Sequence, residues 1–216
     1  MRSADGAPGG MTAGFTTLFV DIGGVLLTDG WAQPSRQAAA AAFALDAQEL
    51  EARHHQAFAA YETGRLTLED YLGHVVFHRK RDFSRHEFQA FMFAQSRAHP
   101  EMIALVRALK AGRGLKVVVV SNEGRELNSH RISTFGLDAC VDIFVSSCFV
   151  HLRKPDPEIF RLALDLAQAA APQVVYIENT PMFTEVATGL GIRSILHKDP
   201  AATRAELDAL GLTGLP

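Results

Sequence analysis

Several residues able to do chemistry sit where runs that read as buried strands come to an end. Asp21 follows "TTLFV", Ser121 and Asn122 close "KVVVVSN", Glu178 and Asn179 close "VVYIEN", and Lys154 stands in the loop beyond "DIFVSS". Taken singly, each has an ordinary structural explanation. Asp21 could form a turn, Ser121 and Asn122 could start the next helix, Lys154 could be a solvated loop charge, and Glu178 could cap the segment after it. Taken together, a carboxylate, a hydroxyl, an ammonium and a second acid at one sheet edge would share a small cleft, and that combination is a catalytic constellation.

Such convergence requires a parallel sheet. The runs at 16–21, 115–121, 142–147, 173–178 and 192–197 are short and rich in β-branched residues, and four of the five are continuously apolar, as expected of strands covered on both faces. Helical patterns such as "GRELNSHRISTF", "DPEIFRLALDLAQAA" and "MFTEVATGL" separate the later four. This alternation predicts a doubly wound α/β core with a parallel sheet, in which ligands bind beyond the carboxyl ends of the strands. Residues 34–96 break the pattern: they hold amphipathic helical segments such as "AQELEARHHQAFAAYETG" and "TLEDYLGHVVFH" and no convincing strand. The expected organisation is an α/β core over 15–33 and 97–216, an all-helical cap inserted over 34–96, and a disordered tail over 1–14, within which Met11 could be an alternative start.

The stretches "FVDIGGVL", "VVVVSN", "RKPDPEIF" and "VVYIEN" resemble, in order and spacing, the four motifs of the haloacid dehalogenase (HAD) superfamily, chiefly its phosphatases with a helical cap between the first two motifs. The resemblance runs from about residue 16 to about residue 199. It is strongest to small hydrolases with "FDxGGV" or "FDxGNV" loops, a group that includes sugar-phosphate phosphatases. It implies an Asp21 nucleophile that forms an aspartyl-phosphate, splitting hydrolysis into two displacements. It further implies Mg²⁺ held by the Asp21 carboxylate, the Gly23 carbonyl and Glu178, with Ser121 and the Asn122 amide on phosphate oxygens and Lys154 offsetting charge. Gly24 would let the backbone approach the phosphate, or simply make the turn.

Two positions depart from that pattern. Gly23 stands where such phosphatases usually carry a second Asp, the general acid and base, whose help is typically worth about 10² to 10⁴ in rate. Glu178-Asn179 replaces the usual Asp-Asp. A 2-haloacid dehalogenase, which also lacks the second Asp, is therefore an alternative, as is a catalytically weak binding protein. Against the dehalogenase stand the acid at 178, which that branch lacks, and Gly23 itself, where that branch usually has an aromatic.

Composition narrows the partners. In 216 residues with a net charge of −3, Lys and Arg are scattered, leaving no electrostatic footprint for nucleic acid or an anionic membrane. No apolar stretch approaches a membrane span, and the N-terminal residues do not read as a signal peptide. A small phosphorylated molecule is the expected partner, and the oligomeric state stays open. Cys140 and Cys148 lack CxxC spacing and read as buried reduced thiols, which places the chain in the cytoplasm. His54, His55, His74, His78 and His86 fall in the inserted segment and read as packing or surface residues rather than a metal cluster. Phe88, Phe91 and Phe93 read as its core.

Overall fold

The five expected strands form one parallel sheet in the computed structural model, which describes residues 14–212. The strands are β1 (Thr17–Val20), β2 (Lys116–Ser121), β3 (Ile143–Ser146), β4 (Val174–Glu178) and β5 (Arg193–Leu196). The tail expected over 1–14, Met11 included, lies outside the described residues except for Gly14. Five helices separate β1 from β2 in the chain, the first four being α1 (Gln33–Ala42), α2 (Ala47–Glu62), α3 (Leu68–Val75) and α4 (Arg85–Ala94). They are followed by α5 (Pro100–Arg113), α6 (Arg125–Phe135) after β2, the single turn α7 (Ser147–Val150) and α8 (Pro157–Ala167) after β3, α9 (Pro181–Gly189) after β4, and α10 (Pro200–Ala209) after β5.

The sheet order is β3-β2-β1-β4-β5. Thr17 of β1 pairs with Lys116 on one side and Val174 on the other, so β1 is central. The chain builds outward through β2 and β3, then crosses to β4 and β5, and that reversal opens a crevice at the carboxyl end of β1. Alternation along the strands sends side chains to opposite faces. Leu18, Val20, Val117, Val119, Val175 and Ile177 join one fully buried cluster with Met102, Val106 and Leu109 of α5. Phe19, Val118, Val120 and Tyr176 join another with Ile159, Phe160 and Ala163 of α8. Burial on both faces explains why these strands read as unbroken apolar runs.

The four inserted helices carry a core of their own, built on Trp31, Tyr61, Tyr71, Phe88 and Met92. Their starts are set by side chains. Asp46 accepts the Gln48 and Glu49 N–H groups, and Thr67 with Asp70 and Ser84 with Glu87 form reciprocal capping boxes. Phe88 is fully buried, whereas Phe91 and Phe93 lie half-buried at the margin, Phe93 stacked on His130 of α6 with ring centroids 4.5 Å apart. His54 packs inside, bonded to the Tyr71 hydroxyl at 2.7 Å, and burial pushes its pKa down to about 3, so it is a neutral packing residue. Helix α3 ends at Val75, so His74 and His78 do not share a helix.

Two sets of hydrogen bonds tie this insert to the sheet domain. At its base, Thr28 and Arg97, on the segments where the chain leaves and returns, bond each other through Thr28 N to Arg97 O and Arg97 N to Thr28 Oγ1. Arg131 of α6 donates to both segments, at Thr28 O and Ser96 Oγ. At the far end of α2, Ser147 Oγ donates to Glu62 O and His151 Nδ1 to Thr63 O, each at 2.7 Å. Gly64 follows with φ +68, and a Cβ there would stand 2.3 Å from the Cys148 carbonyl oxygen, so only glycine allows this approach. Cys140 and Cys148 are buried and unpaired with each other, consistent with the thiol reading.

Candidate active site

Strand β1 delivers Asp21 into the crevice one residue past its end, where the Asp21 N–H still bonds Ile177 O of the β4 edge. The Ile22 N–H then donates to Asp21 Oδ1 at 2.9 Å, fixing the carboxylate against the turn. Strand β2 contributes Ser121 and β4 contributes Glu178, both fully buried. Lys154, on the loop between α7 and α8, is 1% exposed, and its ammonium bridges the two acids at 3.1 Å from Asp21 Oδ1 and 2.5 Å from Glu178 Oε2. The Tyr176 hydroxyl also donates to Glu178 Oε2, and Thr180 N–H donates to Oε1. The Asn122 side chain clamps the lysine loop, donating to Lys154 O and accepting from Lys154 N.

The fold thus brings together Asp21, Ser121, Asn122, Lys154 and Glu178, in arrangements the sequence does not announce. Lys154 and Glu178 are partnered with each other, and the Asn122 carboxamide is engaged by the lysine loop. Burial, and then the Glu178 charge, raise the Asp21 pKa to about 6 against the lowering effect of Lys154. Burial alone would lower Lys154, but Asp21 and Glu178 outweigh it and hold the ammonium charged.

A cavity of about 390 Å³ between insert and sheet domain adjoins one of about 250 Å³ that contains Asp21 and Gly23. Both are lined by Asp29, Phe58, Glu62, Asn122, Glu123 and Arg131. Glu123 is held by Arg131 at 2.6 Å and accepts from Ser121 Oγ at 3.1 Å. Burial raises its pKa against the pull of Arg131. Glu62, at the end of α2, lies 2.7 Å from Arg153, yet burial outweighs that partner and lifts its pKa to about 7. These residues are not evident from local sequence pattern. Only Glu123, one step past the Ser121-Asn122 strand end, carries a signal that could have found it.

The turn itself demands glycine at one position. Gly24 has φ +70, and a Cβ there would stand 1.9 Å from Asn179 Nδ2 and 2.8 Å from Asp29 Oδ1. Gly23 is different: its φ is not in the left-handed region, and an added Cβ would meet only ordinary contacts, at 3.6 Å from Asp29 Cα and Oδ1 and 4.0 Å from Arg131 Nη1.

The site suits Mg²⁺ in its donor chemistry. The Asp21 and Glu178 carboxylates and the Gly23 carbonyl are hard oxygens, and the two buried acids share the one Lys154 ammonium. No group of three or more His, Cys, Asp or Glu side chains able to hold a metal occurs among the described residues, so a cation here would rely on water and substrate oxygens as well. No helix among the described residues is long and apolar enough to cross a membrane.

The sequence profile of haloacid dehalogenase-like hydrolases matches residues 15–182. The chain is 28% identical over 134 residues to bifunctional epoxide hydrolase 2 of Rattus norvegicus, a match covering 60% of this chain and 24% of that protein. The chain thus spans about a quarter of that relative's length. In structure it resembles a HAD family enzyme of Bacteroides thetaiotaomicron solved with magnesium and inorganic phosphate, with a TM-score of 0.70 and 19% identity over 86% of this chain and 95% of that one. It also resembles the L-2-haloacid dehalogenase of Xanthobacter autotrophicus with chloropropionic acid covalently bound, with a TM-score of 0.60 and 14% identity over 92% of this chain and 84% of that one. At these identities the structural likeness is one of fold.

Proposed function

The chain belongs to the haloacid dehalogenase-like hydrolases, and from that footing we propose that it is a Mg²⁺-dependent phosphatase of small phosphorylated metabolites, working through an aspartyl-phosphate on Asp21. One observation carries the reading: two buried carboxylates, Asp21 and Glu178, share a single ammonium, that of Lys154. Such a site is short of positive charge, and a divalent cation brought with a phosphate dianion would complete it. Bound there by Asp21, Glu178 and the Gly23 carbonyl, Mg²⁺ would neutralise the mutual repulsion of nucleophile and phosphate.

The chain's own groups would do the rest. Asp21 attacks phosphorus from the end of β1. Ser121 Oγ, now turned to Glu123, and the Asn122 backbone amide bind phosphate oxygens. Lys154, held charged by its two acids, offsets the charge that develops on those oxygens. Residues 34–96 act as a cap: they wall the larger cavity with Phe58 and Tyr61 and so choose the organic part of the substrate. The magnesium and phosphate complex of the Bacteroides enzyme supports the same chemistry on this fold.

The covalently substituted dehalogenase from Xanthobacter supports a second reading, in which Asp21 displaces halide from a 2-haloacid. Both readings are tested on purified protein offered an aryl phosphate or 2-chloropropionate, with and without a chelator. The phosphatase reading expects phosphate release that stops on chelation and returns with Mg²⁺, and an Asp21→Asn variant that folds but does not turn over. Halide release without metal would replace it with the dehalogenase. Phosphate release unaffected by chelation would remove the metal from the proposal.

A further inference from the structure

Phosphate ester cleavage through Asp21 needs a proton for the departing alkoxide and later a base for the attacking water. Four acids line the cavity around Asp21, counting Asp21 itself, and three of them are in ion pairs: Asp21 with Lys154, Glu62 with Arg153 and Glu123 with Arg131. The fourth is Asp29, whose carboxylate, among the described residues, makes no ion pair and only a 3.4 Å contact from Asn179 Nδ2. It is exposed to the cavity, and its Oδ1 lies 3.6 Å from where a Cβ on Gly23 would stand. An acidic side chain at 23 would reach into the volume that Asp29 already holds.

The backbone around Asp29 is built to keep it there. Thr28 is bonded to Gln95 O and Arg97 on one side, and Arg131 Nη2 donates to Thr28 O at 3.2 Å. Gly30 has φ +65, and a Cβ on it would stand 1.8 Å from that same Nη2, so the chain turns beneath the guanidinium as only glycine can. Gly24, equally restricted, lets Oδ1 approach the nucleophile loop.

We propose that Asp29 is the general acid and base of this hydrolase, supplying from the far limb of the loop the carboxyl group that Gly23 lacks; the proposal rests on the phosphatase reading above. In the first step Asp21 Oδ bonds to phosphorus, the bond from phosphorus to the leaving oxygen breaks, and protonated Asp29 gives its proton to that oxygen. In the second, the Asp29 carboxylate takes a proton from water, the hydroxide bonds to phosphorus, and Asp21 departs as a carboxylate. Asp29 ends protonated, as it began.

The test compares wild type, Asp21→Asn, Asp29→Asn, Asp29→Ala and Asp29→Ala with Gly23→Asp on glycerol 2-phosphate and p-nitrophenyl phosphate, each variant checked for folding by circular dichroism. Asp29→Asn should lose about 10² or more of alkyl phosphate turnover. With the aryl ester, whose leaving group needs little protonation, it should release a burst of about one nitrophenolate per protein and then stall, because the acyl-phosphate lacks a base. Gly23→Asp in the Asp29→Ala background should restore alkyl turnover about tenfold or more. A purely structural role for Asp29 would produce neither burst nor rescue. If wild type is active and Asp21→Asn is dead while Asp29→Asn keeps alkyl turnover within about threefold and shows no burst, this inference falls alone. If wild type hydrolyses neither ester, the phosphatase reading falls and takes this inference with it.

Discussion

Replacing Arg131 with methionine leaves Glu123 buried, at 2% side-chain exposure, without its cation. The guanidinium makes three contacts: Glu123 Oε1 at 2.6 Å, Ser96 Oγ at 3.0 Å and Thr28 O at 3.2 Å. Removing one partner of a buried pair costs about 3–5 kcal/mol, and the part-buried Thr28 carbonyl adds less because water can replace its lost donor, while the buried Ser96 hydroxyl loses a partner as well. Proton uptake by Glu123 sets the ceiling. Burial already raises its pKa against Arg131, and without the guanidinium it rises further, so the carboxyl would take a proton sooner than stay charged. The variant's deficit should therefore grow with pH. For a chain of this length about 3–5 kcal/mol is a fall in Tm of roughly 6–20 °C. Thermal and urea unfolding of wild type, Arg131→Met and the double variant Arg131→Met with Glu123→Gln, at pH 5 and pH 8, measure it. The double variant, which holds no buried charge at 123, should be more stable than Arg131→Met at pH 8. A Tm within about 2 °C of wild type at both pH values, or a deficit indifferent to pH, would refute the argument.

Glu62 gives a pH signature of its own, facing Arg153, Glu123, Lys154 and Asp21 across the cavity. Its pKa is raised from 4.5 to about 7 in the folded protein, so its stabilising form is the protonated one, fully present below pH 4.5 and lost as pH rises through 7. Glu62→Gln should flatten the stability profile across that window by up to about 3 kcal/mol, and superimposable urea profiles for variant and wild type would count against it. At Gly124, the N-cap of α6, a Cβ would stand 2.1 Å from the Tyr61 ring, which is stacked on Tyr71 at 4.7 Å. Gly124→Ala must displace that ring, at a cost of about 1–3 kcal/mol, read as a Tm lower by roughly 2–12 °C. An unchanged Tm would mean that the ring moves freely.

The strands were legible because burial on both faces turns the periodic signal into unbroken runs such as "KVVVVS" and "VVYIE". Their ends located Asp21, Ser121 and Glu178, since a parallel sheet gathers its carboxyl ends by construction. The helix α7 was not legible, being one turn long and too short for a 3.6-residue period to show. Glu62, Asp29 and Arg131 escaped for another reason. Arg131 meets Thr28 across 103 positions and Ser147 meets the Glu62 carbonyl across 85, so their places follow from how the insert seats on the sheet domain. The pairing of Lys154 with Glu178 was hidden likewise: each residue is recognisable in its own motif, but neither motif shows that they contact each other.

The attachment of the insert at both of its extremities has a consequence for traffic. A cover hinged at one side can swing, admit, close and release, and such motions often set the turnover rate. This one is fastened at its base through Thr28, Ser96 and Arg131, and again at the far end of α2 through Glu62, Thr63 and Gly64. Both fastenings would have to break before the insert could swing clear of the sheet domain, and that sets the cost of widening the roughly 390 Å³ cavity between them.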